Sequence, residues 1–131
     1  MNRDPQRLGD YLAHILEAIE RINCYTDGMD EQAFLKNQLV QDAVIRNFEI
    51  IGEASNNIKK RYPEFVAAHP ELALTSAYEM RNAIAHGYFE VAFDVVWKTI
   101  QLDLPGFRGQ IRQVQASMIG GQNHQQPGTT P

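Results

Sequence analysis

Four polar residues within eight positions could carry chemistry: Arg81, Asn82, His86 and Tyr88. Gly87 follows His86 directly, so the group lies where a helix is predicted to end. A histidine titrates near neutral pH and can act as a general acid or base. A guanidinium keeps its charge and matches phosphate oxygens through paired hydrogen bonds. These residue types favour metal-free RNA cleavage, in which the ribose 2′-OH attacks the adjacent phosphate.

The spacing of the group adds weight to this interpretation. On a helix, Asn82 and His86 share a face, and Arg81 lies about 140° around the axis from His86. An Arg-x4-His spacing arises by chance in roughly one chain in eight of this size, and a tyrosine two residues later lowers that to roughly one in several hundred. One chain offers one such histidine, whereas a symmetric dimer would offer two, which could divide the base and acid roles.

Amphipathic helices must position these residues. The first is predicted to open at Asp4-Pro5 and to end at Asp27-Gly28. The second is predicted over about residues 39–61, after a short helix capped by Asp30. Apolar residues at steps of three and four mark the buried stripes of the two long helices. These are Leu8, Leu12, Ile15, Ile19 and Ile22 in the first, and Val40, Val44, Phe48, Ile51, Ala54 and Ile58 in the second.

The second half of the chain continues the helical pattern. A third helix is predicted over residues 76–86 with Thr75 or Ser76 as its cap, and a fourth begins after Asp94. Pro105 falls inside the last apolar stripe and predicts a kink or a break near residues 101–105. The pattern indicates an all-α antiparallel bundle over residues 1–118, followed by a disordered tail over residues 119–131 that is rich in Gly, Gln, Pro and Thr.

Composition narrows the classes of protein. The chain has 131 residues, of which 44% are hydrophobic and 21% charged, so one packed domain is expected. The lone Cys24 cannot form an internal disulfide or a thiolate metal cage, which favours a cytoplasmic protein without a metal site. No apolar run reaches the ~20 residues of a membrane span. The net charge of −4 is opposite to that of a typical RNA binder.

RNA binding would therefore need a local patch of basic residues. A basic protein is an equally natural partner for this acidic chain. Lys59, Lys60 and Arg61 form the densest basic run and are the candidate contact for RNA phosphates or an acidic partner surface.

Structural interpretations of the motif residues remain open beside the functional ones. His86 could cap its helix, and Arg81 could pair with Glu53 or Glu79. If Arg81 pairs with Glu53, that carboxylate would also orient the guanidinium.

Several other residues are interpreted as structural. Glu49 and Glu53 are expected to be solvated or salt-bridged rather than metal ligands. His14 lies near the first apolar stripe and is expected to have a structural role. Cys24 is assigned to packing and Trp97 to the core.

The stretch over residues 81–88, read as R-N-x-x-A-H-x-Y, resembles the signature of HEPN ribonucleases. It is most similar to the HepT-like toxins encoded beside minimal nucleotidyltransferase antitoxins. Residues 46–54, which contain the run I-I-G-E-A, and residues 96–105 also resemble that family. The likeness covers roughly residues 5–115.

The resemblance implies a four-to-five-helix HEPN bundle and a homodimer in which the motifs line a shared cleft. It implies that Arg81 and His86 are the catalytic pair, with Asn82 as the motif asparagine, and that no cofactor is used. The function implied is the toxin of a type VII-like toxin–antitoxin system, cutting tRNA or mRNA to leave 2′,3′-cyclic phosphate ends. Tyr88 would be AMPylated by the cognate nucleotidyltransferase, which silences the enzyme. The alternative is a non-catalytic HEPN module that binds a nucleotide or a partner with the same residues.

Overall fold

A computed structural model describes residues 5–86 and 92–124, and every regular element within these ranges is helical. The predicted all-α helical bundle is thereby confirmed. In chain order the elements are α1 (Pro5–Thr26), α2 (Glu31–Leu35), α3 (Gln38–Arg61), α4 (Pro63–Ala68), α5 (Leu74–His86), α6 (Phe93–Lys98), a π-helical segment (Thr99–Asp103) and α7 (Leu104–His124). The central helix is α3, which packs against both α1 and α5, while α7 packs against α1.

The two long apolar stripes form the core as predicted. All five stripe residues of α1 are buried, and in α3 only Val40 is half-buried while the other five are buried. Removal of these side chains from water supplies the main favourable free energy of folding. The exposed parts of α1 and α3 remain available for polar groups.

Short polar caps define where the early helices begin. The Asp30 carboxylate accepts a hydrogen bond from the Ala33 N–H at 2.9 Å, which confirms the predicted cap of α2. The Asn37 side chain accepts from the Val40 N–H at 3.0 Å and caps α3. Between α1 and α2 the chain turns at Gly28, whose φ of 78° favours glycine.

The start of α5 differs from the prediction. The helix begins at Leu74 rather than at residue 76, and the Ala77 N–H already donates to the Ala73 carbonyl. Thr75 and Ser76 are exposed within the first turn, so the predicted cap at either position is wrong. Packing explains the earlier start of α5, because Leu74 is buried in the core and the first helical turn therefore lies against the core.

The predicted disturbance near Pro105 takes the form of a π-helical segment. The helix that starts at α6 widens over Thr99–Asp103, and the Leu104 N–H donates to the Thr99 carbonyl, five residues back. Pro105 has no N–H to donate, so the helical hydrogen-bond pattern is interrupted at this position. The widened turn leaves Ile100 and Leu104 buried and Leu102 75% exposed.

The backbone of α7 is helical through His124, and so extends past the predicted boundary at residue 118. The remainder of the predicted tail, residues 125–131, lies outside the described residues.

An aromatic cluster holds α2 against α6. Phe34 is fully buried, with its ring centroid 6.1 Å from that of Phe93 and 5.3 Å from that of Trp97. Trp97 is thus a core residue, as predicted, whereas Cys24 is exposed and its assignment to packing is wrong. Cys24 follows the apolar stripe of α1 but points away from it. Along residues 5–86 and 92–124, none of the helices combines the length and apolar character that crossing a bilayer requires.

Replacement of Phe34 by alanine should lower the free energy of unfolding by about 3–5 kcal/mol, because it leaves a cavity between α2 and α6. Leu39→Ala is the matched control, since Leu39 is 79% exposed and its loss should cost less than about 0.5 kcal/mol. Chemical denaturation measures both. Equal small effects would show that the aromatic cluster does not stabilise the fold.

Candidate functional site

The guanidinium of Arg81 is held from two sides. Its Nη2 lies 3.6 Å from Glu53 Oε1 on α3, and its Nη1 donates a hydrogen bond of 3.1 Å to Asn82 Oδ1 on its own helix. The Arg81 side chain remains 34% exposed. The two contacts therefore orient the cation while leaving part of it accessible to a ligand.

Gly52 allows α5 to pass close to α3 at this position. A Cβ atom at Gly52 would overlap Arg81 Cβ, and it would lie 2.7 Å from Arg81 Cγ and 3.2 Å from the Ala77 carbonyl oxygen. A larger residue would thus push apart the two helices that carry Arg81 and Glu53. The glycine of the I-I-G-E-A run consequently has a packing role in positioning the guanidinium.

Arg81 lines a cleft of about 370 Å³ formed by α1, α3 and α5, which we call the arginine cleft. Tyr11 and His14 contribute from α1. One face of α3 contributes Arg46, Glu49, Ile50, Glu53, Ala54 and Asn57. The sequence interpretation connected Arg81 with Glu53 but did not include the α1 wall or Arg46.

The arginine cleft contains charges of both signs. Arg46 Nη1 lies 3.6 Å from Glu49 Oε1, so each of the two carboxylates that line the cleft is paired with one guanidinium. This confirms the expectation that Glu49 and Glu53 are salt-bridged. Exposed pairs of this kind stabilise a protein little, by about 0–1 kcal/mol. An incoming anion can therefore exchange with the carboxylates at small cost.

The place of His14 near the apolar stripe predicts a structural role, whereas its side chain is exposed at the wall of the arginine cleft. The available signal was its spacing from Tyr11, because i and i+3 residues share a helix face beside the buried stripe. The sequence alone did not show that this face lines the same cleft as Arg81.

The structure describes only some of the remaining predicted site residues. The backbone of His86 closes α5, five residues after Arg81, while its side chain lies outside the described part of the structure. Tyr88 also lies outside the described residues. Asn82 is half-buried beside Arg81 and is the predicted supporting residue nearest to the guanidinium.

The basic run forms the last turn of α3. Lys60 and Arg61 are exposed, whereas Lys59 is half-buried with its Nζ 5.6 Å from the centroid of the Tyr78 ring. At 1.5 Å per residue, Lys60 is about 10 Å along α3 from Glu53. The run therefore lies on the helix that lines the arginine cleft but is separate from the cleft itself.

A larger hollow of about 450 Å³ lies beside the π-helical segment and has a different character. Among the described residues that line this hollow, the charged ones are Glu71 and Asp103, and both are acidic. Apolar side chains such as Met80 and Phe107 form much of the rest of the lining. A backbone hydrogen bond at Glu71 itself and a side-chain hydrogen bond with His69 lower the pKa of the Glu71 carboxyl. A negatively charged lining disfavours phosphate, so the arginine cleft is the better candidate for RNA.

No metal centre is evident from the side chains that the structure describes, where His, Cys, Asp and Glu residues do not gather in groups of three or more. The groups that the arginine cleft does supply are guanidiniums, carboxylates, an imidazole and a phenol. These suit the binding of a phosphate and an aromatic base.

Comparison with known proteins gives a consistent result. A family model described as "Ribonuclease HepT-like" matches residues 15–114. "Probable ribonuclease HepT" of Thermococcus cleftensis is 41% identical over 105 residues, which cover 80% of this chain and 93% of that protein. "Putative RNase TTE0752" of Caldanaerobacter subterraneus subsp. tengcongensis is 32% identical over 104 residues, which cover 79% of this chain and 90% of that protein. No solved structure gives a significant match.

Gly52→Ala should destabilise the protein by about 1–3 kcal/mol and displace Arg81, because the added Cβ overlaps the arginine stem. Gly109→Ala is the control, since a Cβ there meets nothing and alanine favours the helix by about 0.5–1 kcal/mol. Thermal unfolding compares the two variants. A Gly52→Ala protein as stable as the Gly109→Ala protein would contradict the close approach of α3 and α5.

Proposed function

Since the chain belongs to the HepT-like family of HEPN ribonucleases, we propose that it is a metal-independent endoribonuclease with Arg81 and His86 as its catalytic pair. One structural observation supports this most strongly. The Arg81 guanidinium is fixed by Glu53 and Asn82 at a cleft, and His86 follows on the same helix. The cleft thus supplies an oriented cation, and the backbone of the helix that carries Arg81 continues to His86.

The reaction needs a base, an acid and a cation. The 2′-oxygen of the ribose attacks the adjacent phosphorus, its proton passes to a base, and the 5′-oxygen leaves with a proton from an acid. His86 serves in this proton transfer, and Arg81 stabilises the additional negative charge on the pentacoordinate phosphate. The products are a 2′,3′-cyclic phosphate and a 5′-hydroxyl end.

A homodimer completes this scheme. Each chain supplies one His86, and the base and the acid act on opposite sides of the phosphorus, so two copies related by a two-fold axis can divide the roles. Exposed apolar side chains, among them Leu102 and Val95 at 75% and 50% exposure, are available for a partner. Light scattering of the purified protein measures the number of chains directly.

The resemblance to the family supports regulation by a cognate minimal nucleotidyltransferase. We propose that this partner transfers AMP from ATP to the Tyr88 hydroxyl and releases pyrophosphate, in a type VII-like toxin–antitoxin pair. Tyr88 is two residues after His86, so the added phosphate would repel RNA and the adenosine would obstruct the site. Lys60 and Arg61, exposed at the end of α3, are candidate contacts for RNA or for this partner.

In the presence of EDTA, the unmodified protein should cleave RNA and leave 2′,3′-cyclic phosphate ends. Arg81→Ala should slow cleavage by roughly 100-fold or more, and His86→Ala by a similar factor. Arg81→Lys should recover part of the rate, because it restores the charge without the bidentate geometry. Cleavage rates on total RNA measure these effects, with Arg112→Ala on α7 as a control that retains full activity.

Full activity of a folded His86→Ala protein would contradict the proposed chemistry. An unmodified, folded and inert parent protein would instead favour the non-catalytic binding module.

Incubation with the nucleotidyltransferase and ATP should raise the intact mass by whole AMP units and abolish cleavage. Tyr88→Phe should resist both changes, because it lacks the acceptor hydroxyl, while retaining its ribonuclease activity. Tyr78→Phe is the control and should be modified and silenced like the parent. Peptide mass spectrometry locates the AMP, and modification of the Tyr88→Phe protein at full extent would overturn the assignment.

A further inference from the structure

The α1 wall of the arginine cleft is not used by the proposed chemistry. His14 is exposed there, and Tyr11 is half-buried beside it, one helical turn earlier. The α3 wall of the cleft contributes Arg46, whose side chain is 70% exposed. The cleft thus has aromatic groups from α1 and a second guanidinium from α3, in addition to Arg81.

We propose that this part of the cleft binds the nucleotide next to the cleaved bond in single-stranded RNA. Arg46 holds its phosphate and His14 stacks on its base. The inference rests on the proposed function, because it takes the scissile phosphate to be the one held by Arg81.

The spacing of the two guanidiniums suits neighbouring phosphates. Glu49 and Glu53 are four residues apart, about 6 Å along α3, and each is paired with one arginine. Phosphates along one strand are separated by about 3.4 Å of axial rise when the bases are stacked, and by more when the strand is extended. The cleft therefore presents its cations at two positions that an extended strand can reach together.

The existing ion pairs do not prevent this binding. The Glu53 side chain is 67% exposed and that of Arg46 is 70% exposed, so both pairs are in contact with water and are weak. A phosphate offers each guanidinium charge-assisted, bidentate hydrogen bonds. The strand thus replaces the carboxylates, which can turn outward into solvent.

The shape of the cleft favours a single strand over a duplex. A space of about 370 Å³ accommodates a group of nucleotide size, whereas a duplex keeps its bases stacked inside the helix. Unstacked bases of single-stranded RNA commonly stack on aromatic side chains, histidine included. The exposed imidazole of His14 provides such a face.

The test uses a single-stranded oligonucleotide with 2′-O-methyl riboses, which lacks the attacking hydroxyl and so is bound but not cut. His14→Ala and Arg46→Ala should each weaken binding roughly fivefold or more, as expected for loss of a stacked base or a phosphate contact. His14→Phe should retain the parent affinity, since it keeps the aromatic face. Arg46→Ala should also reduce the slope of log affinity against log salt by roughly 0.7, the value for one phosphate on a single strand.

Two controls match these variants. Arg21→Ala removes an arginine that is paired with Glu17 at 3.5 Å on the surface of α1. His69→Ala removes a histidine that packs on Phe65, with ring centroids 4.6 Å apart. Neither residue lines the cleft, so both variants should bind as the parent does. On cleavable RNA, His14→Ala and Arg46→Ala should raise KM with little change in kcat, because they act beside the reacting bond.

The outcomes separate this inference from the proposed function. If cleavage depends on Arg81 but the His14 and Arg46 variants bind and cleave like the parent, the inference is overturned and the ribonuclease stands. If the parent binds the oligonucleotide through His14 and Arg46 but never cleaves RNA, the proposed function fails and the binding site stands. Failure of the parent to bind, or equal affinity for duplex RNA, overturns the inference.

Discussion

The close approach of α3 and α5 at Gly52 is the constraint on which the rest of the site depends. With only a hydrogen atom at Gly52, the stem of Arg81 lies directly against the backbone of α3. Glu53, the next residue on α3, then lies within ion-pair distance of the guanidinium. A single small residue thus fixes both the distance between two helices and the direction of a charged group.

Charge compensation explains how an acidic chain can contain the cleft that we propose to bind phosphate. The net charge of −4 describes the whole surface, but the arginine cleft pairs each of two guanidiniums with a carboxylate. The free protein consequently has little unbalanced positive charge in this region. Exchange of carboxylate for phosphate keeps the arginines oriented in both states, so binding requires little rearrangement of α3 or α5.

The features of the fold that depend on local periodicity were predicted well from the sequence. The stripes of α1 and α3, the cap at Asp30 and the disturbance before Pro105 follow from spacing and from single-residue chemistry, and the structure shows each of them. The start of α5 could not be predicted in this way, because burial of Leu74 depends on its neighbours in space and outweighs the preference of Ser76 for a cap.

The site was predicted less completely than the fold for a related reason. The pairing of Arg81 with Glu53 was one of two alternatives, and only the packing of α5 on α3 decides between Glu53 and Glu79. The place of His14 in the arginine cleft depends on three helices at once. No pattern along one helix contains that information, and a helix face next to a buried stripe has no distinctive composition.

The π-helical segment has a consequence for how this chain is aligned with its relatives. A π turn accommodates an extra residue inside a helix while the flanking turns keep their direction. Ile100 and Leu104 thus remain in the core on either side of the widened turn at Thr99–Asp103. A relative with an uninterrupted helix here would differ from this chain by a one-residue gap within the helix. An alignment that moves every gap into loops would displace the whole of α7 by one position, and its buried and exposed faces would be paired incorrectly.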